Sequence, residues 1–107
     1  MIKSFDFYYD EQLKHKVGKK LKFKELVIFA GETISHSLFV KNLTRNELIQ
    51  VRFSSDDKDI SFMPRLMDFK IGEVKELVVI CKPKTTRKDP ISTIIKIEGK
   101  EKIVVKR

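Results

Sequence analysis

The amino-acid sequence predicts an all-β fold, a two-sheet sandwich of about seven to eight short antiparallel strands behind an N-terminal aromatic arm. Three observations carry this. Apolar side chains recur at every second position along most of the chain, the rhythm of strands buried on one face. Eight Phe, abundant Ile and Val, a single Ala and no Trp bias the composition towards side chains that pack on pleated surfaces. Turn chemistry returns about every 8 to 12 residues, with no helical period and no internal repeat. At 107 residues the chain suits one core. It divides into an arm with a basic linker (1–20) and a sandwich domain (21–107).

The elements follow in order. Phe5, Phe7 and Tyr9 alternate along an opening strand, and Asp10 to Lys20 reads as a basic linker with room for one helical turn around Glu11 to Lys16. Leu21, Phe23, Val27 and Phe29 share an inward face interrupted by Glu25, and Gly31-Glu32-Thr33 turns the chain. Ile34, His36, Leu38 and Val40 face inward next, and Asn42 to Asn46 is a turn. Ile49, Val51 and Phe53 then define a strand that ends in the polar loop Ser54 to Asp59.

Ile60 to Met63 is a short strand stopped by Pro64, which has no N–H for a ladder. Leu66 to Ile71 leads to a turn at Gly72-Glu73. Val74 to Cys81 is apolar on both faces in its second half and belongs at the centre of a sheet. After a basic loop bounded by Pro83 and Pro90, Ile91, Thr93, Ile95 and Ile97 alternate inward. Gly99 to Glu101 is expected to turn the chain into a last strand, Ile103 to Val105.

No apolar run approaches the roughly 20 residues that span a bilayer, so no membrane insertion is expected. The first residues are acidic and aromatic and lack the apolar stretch of a signal peptide. Cys81 is the only cysteine and forms no intrachain disulfide. A reducing cytoplasm, or a virion assembled there, is therefore the expected location.

The chemistry-bearing residues are sparse. His36, at an inward strand position, reads as a core or contact residue rather than a catalyst, and His15 lies in the linker. Asp56, Asp57 and Asp59 lack the spacing and terminal Glu of a calcium loop, which needs roughly six to eight oxygens. One Cys and two His argue against zinc. Asn42-Leu43-Thr44 matches a glycosylation sequon but reads as turn chemistry. The glycines stand singly, so no phosphate loop exists, and no cofactor is implied.

From Leu21 to Arg107 the order of features resembles the immunoglobulin-like sandwiches of the major sperm protein and ASH type. The carriers are LVIFAGET before Gly31, SLFVKN ending at Asn42, PRLMDFKIGEVKELVVI with Pro64 and Gly72-Glu73, and the close at Pro83 before a final hairpin. The resemblance implies an immunoglobulin-like fold and a binding or scaffolding module without catalytic residues. The arm before Leu21 departs from it.

Lys plus Arg number 23 against 15 Asp plus Glu, a net charge of +8. Such an excess suits nucleic acid, an anionic membrane or an acidic protein, and it also keeps β proteins soluble. The expected function is a non-enzymatic structural or adaptor module on a larger protein assembly, such as a capsid decoration or tail component, or a homo-oligomer. Its candidate contacts are Phe5, Phe7, Tyr8 and Tyr9, aromatic residues on a tethered strand. That strand can instead be the sandwich's own first strand. The alternative function is nucleic-acid binding through Lys14, Lys16, Lys19, Lys20, Lys82, Lys84, Arg87 and Lys88.

Overall fold

Every regular element among residues 5–101, the part of the chain that the computed structural model describes, is a strand. In order they are β1 (Phe5–Tyr8), β2 (Leu21–Lys22), β3 (Ile34–Asn42), β4 (Leu48–Ser54), β5 (Ile60–Met63), β6 (Leu66–Phe69), β7 (Val74–Cys81), β8 (Ser92–Thr93) and β9 (Lys96–Glu101). These nine exceed the expected seven to eight because β2 and β8 form a separate two-residue ribbon. The terminal strand expected at Ile103 to Val105 lies outside the described residues.

One sheet has the order β1-β3-β7-β5 and the other β6-β4-β9, with every pairing antiparallel. β7 lies between β3 and β5, the central position its two apolar faces require. The period-2 pattern turns Leu38, Val40, Leu77 and Val79 of the first sheet towards Val51, Phe53, Met67 and Phe69 of the second. These residues share one apolar core with Leu21, Ile28 and Ile91. Each such side chain stabilises the fold by about 1.5–3 kcal/mol through its burial.

The segment read as an arm is built into this core. β1 pairs with β3 in the register Phe5↔Asn42 to Tyr8↔Phe39. Phe5 is only 6% exposed and packs edge-on against Phe69 (centroids 5.1 Å apart) and Phe53 (5.8 Å). The basic linker then folds back as a hairpin rather than a helical turn. The Asp10 carboxylate accepts the N–H groups of Lys14 and His15, holding a tight turn with Leu13 at φ 59°. Val17 N–H donates to the Phe7 carbonyl and Tyr9 N–H to the His15 carbonyl, so residues 15–17 run along β1.

Two phase changes separate the observed faces from the expected ones. In β4 the inward residue is Leu48 rather than Ile49, because Gln50 forms a β-bulge at φ 52°. Asp68 Oδ1 accepts the Gln50 N–H at 2.9 Å and pins the bulge. Between Phe23 and Ile28 the chain leaves regular β structure, and Ile28 takes the core position. Val27 and Phe29, expected inward, are exposed. Glu25 occupies the inward phase, and a carboxylate is costly to bury there without a partner.

The third departure concerns Gly99. It lies inside β9 and not in a turn, because β9 crosses β4 closely there. A Cβ on Gly99 would stand 3.1 Å from Cγ2 of fully buried Val51. Ile97, expected inward, is exposed.

Candidate functional site

The connection between β2 and β3 brings ionisable and apolar groups together. Phe23 is buried in the core, and its N–H donates to the Ile91 carbonyl, continuing the ribbon past Lys22↔Ser92. Two residues on, Glu25 reaches His36 of β3, with Nε2 2.7 Å from Oε1 and 3.0 Å from Oε2. The imidazole also stands edge-on to the Phe23 ring at 5.1 Å. Partial burial opposes ionisation of Glu25. Together the His36 hydrogen bond, the residue's own N–H and the charges of His36 and Lys24 outweigh this and hold the carboxyl below its ordinary 4.5.

The pair borders a cleft of about 340 Å³ with an apolar floor of Leu21, Leu38 and Val79 and a rim of Lys22, Lys24 and Tyr9. The Tyr9 oxygen accepts the Lys22 N–H at 3.1 Å. Among the described lining residues this phenol is the only hydroxyl and there is no thiol, and the imidazole is hydrogen-bonded to Glu25 rather than to the phenol.

A depressed carboxylate pKa stabilises the fold above the unfolded value and loses that contribution as pH falls through the folded value. The wild type should therefore lose stability below pH 4.5 more steeply than Glu25→Gln, which starts lower at neutral pH. Chemical denaturation of both proteins between pH 7 and pH 3 measures the difference. Parallel curves would show that the pair contributes nothing.

The sequence-derived contact residues are distributed unevenly. Phe5 is a core residue and so is not available to a partner. Phe7 is half-buried against the same cluster, and Tyr8 donates to Asp6 at 3.3 Å. Tyr9 alone of the four is exposed.

Two of the eight candidate anion-binding cations are committed within the protein. Lys16 Nζ lies 3.1 Å from Oδ1 of Asp6, offsetting the charge of a buried oxygen that has no hydrogen-bond donor in good geometry. Arg87 reaches both oxygens of Asp57, at 2.7 and 2.8 Å, and Asp59 at 3.2 Å. Burial alone would lower its pKa, but the bonds and charges of Asp57 and Asp59 raise it above the ordinary value. With Asp56 paired to Lys96, all three carboxylates of the acidic loop have a cationic partner within the protein. Lys14, Lys19, Lys20, Lys82, Lys84 and Lys88 are exposed, without an ion pair among the described residues.

Alternation alone hid the largest apolar exposure near this end of the fold. Leu26, Val27 and Phe29 are 68%, 45% and 61% exposed on one irregular segment. The Ile28↔Arg87 bridge anchors that segment, with the Phe29 N–H bonded to Glu32 at 2.6 Å and the Ala30 N–H to Thr86. The misplaced Glu25 was the available signal. An ionisable residue in an inward phase marks the place where that phase ends.

At the opposite end, Asn42 is fully buried. Its Nδ2 donates to the carbonyls of Asn46 (2.9 Å) and Lys70 (3.1 Å), and its Oδ1 accepts from Thr44 N–H (2.9 Å). The sequon amide is thus committed to holding two turns together. Cys81 is buried, and desolvation pushes its thiol pKa up. Among the described residues no group of His, Cys, Asp and Glu forms a metal site, and no helix is long and apolar enough to cross a membrane. No protein-family model, curated protein or solved structure matches the chain.

Proposed function

We propose that the chain is a non-enzymatic structural or adaptor module, an immunoglobulin-like sandwich that docks on a larger protein assembly. The observation that carries this reading is the Leu26-Val27-Phe29 segment. Three large apolar side chains stand in solvent on backbone tied down by Ile28, Glu32 and Thr86. Covering what remains exposed of each would contribute about 1–2 kcal/mol, and held backbone has little further ordering entropy to lose on association. The antiparallel sheets, facing each other across one core, agree with the immunoglobulin-like resemblance. The self-contained His36–Glu25 pair supports a binding role over a catalytic one. A capsid decoration or tail component is one form of such an assembly. A single buried thiol suits a particle put together in a reducing cytoplasm.

The test is co-sedimentation with particles from the source, together with light scattering of the purified chain. The wild type should be retained, and Leu26→Glu/Phe29→Glu should lose at least about tenfold in retention at an unchanged melting temperature. A monomeric wild type that binds nothing, or retention indifferent to the double substitution, overturns the reading. The six unpaired lysines favour the alternative, nucleic-acid binding. Retention on DNA that falls steeply with salt would be its signature.

A further inference from the structure

Resting on the docking-module reading, we propose that the outer edge of β5 is a second contact, which takes an extended acidic segment of a partner protein as an added strand. β5 is the last strand of its sheet, with β7 on one side only. The direction of its backbone groups follows from one hydrogen bond. Lys82 N–H donates to the Asp59 carbonyl at 3.0 Å, so Asp59 faces β7. In an antiparallel ladder the facing residues alternate. Ser61 and Met63 therefore also face β7, while Ile60 and Phe62 point their N–H and C=O groups away from it. The Ile60 N–H is taken by the Asp57 carbonyl at 3.1 Å. What remains is the Ile60 carbonyl and both groups of Phe62, the set that an added strand pairs with.

Beside this edge lies a groove of about 280 Å³, bounded across from β5 by Phe53 and Ser54 of β4 and flanked by Arg52 and Arg65. β4 has no β6 partner at these positions, since that ladder ends at Arg52↔Leu66. The groove thus runs between two unpaired backbone edges. Charge selects the occupant. The three carboxylates of the nearby acidic loop are paired with Arg87 and Lys96, and the loop's own Lys58 balances the remaining charge, whereas neither Arg52 nor Arg65 has an ion pair among the described residues. Glu98 is the register partner of Arg52 in the β4–β9 ladder, though no ion pair joins their side chains, which leaves Arg65 as the less compensated guanidinium. A guanidinium binds a carboxylate by a two-pronged hydrogen bond. Exposed Met63 and Leu66 at the corner offer apolar contact to alternate side chains of the segment.

The probe is a short synthetic peptide alternating valine and glutamate, titrated into the full-length isotope-labelled chain and followed by NMR. Amide shifts should concentrate at Ile60–Met63 and Arg65. N-methylation of alternate peptide amides should abolish binding, and lysine in place of glutamate should weaken it by about tenfold or more. Arg65→Glu, an exposed change whose fold is checked by melting, should weaken the glutamate peptide to a similar degree. Equal binding of the methylated peptide, shifts away from β5, or no binding at millimolar peptide overturns the proposal. Leu26→Glu/Phe29→Glu should leave peptide binding intact. Loss of particle retention and loss of edge pairing therefore read out separately.

Discussion

Replacing Phe5 with Ala should destabilise the protein by about 3–5 kcal/mol, the cost of emptying a large aromatic site in a core. The ring is buried beneath β1 against Phe53 and Phe69, two rings of the opposite sheet, and beside Phe7. Its removal takes two edge-to-face contacts from the opposite sheet and a tilted one from its own. Urea denaturation measures the change as a shift in midpoint. Phe29→Ala is the internal control, since a ring 61% exposed should cost less than about 0.5 kcal/mol. Equal costs at the two positions would mean that β1 is not part of the cooperative unit.

Asn42→Leu should cost about 3 kcal/mol, although it raises the apolar content of a fully buried position. The Asn46 and Lys70 carbonyls lose a donor and the Thr44 N–H loses an acceptor. A buried polar group left without a partner costs about 1–3 kcal/mol, and the gain from added apolar surface offsets only part of that. Because these bonds join the turn after β3 to the corner after β6, amide exchange should quicken at both places together. Quickening confined to residues 42–46 would show that the two turns are held independently.

The fold was legible wherever alternation met turn chemistry. β5 matched its reading from Ile60 to Met63, Gly31 and Gly72 adopt the positive φ their turns need, and β7 took the central place. The misreadings in β4 and β9 share one cause, pairing across the sheet. Gln50 carries a bulge with a side chain that gives no hint of it, because its positive φ is imposed by Asp68 and two neighbouring strands. Gly99 resembled a turn glycine but serves a close crossing over Val51. Both depend on strand pairing between distant residues, which no window along the chain contains.

The candidate site was less legible for the same reason. Lys16 and Arg87 appeared free until Asp6, Asp57 and Asp59 were brought beside them. His36 was singled out, but its partner Glu25 was visible only as a flaw in a pattern. Phe5 and Phe29 look alike in sequence, as aromatics at alternating positions, and end on opposite sides of the protein surface.

The return of residues 15–17 along β1 bears on solubility. An open strand border can recruit identical strands without limit, and fibrils grow by that route. Here the aromatic stretch from Phe7 to Tyr9, the segment best suited to such stacking, is occupied by the chain's own next turn, with a lysine set into it. At this border, copies of the protein meet a margin that is already closed.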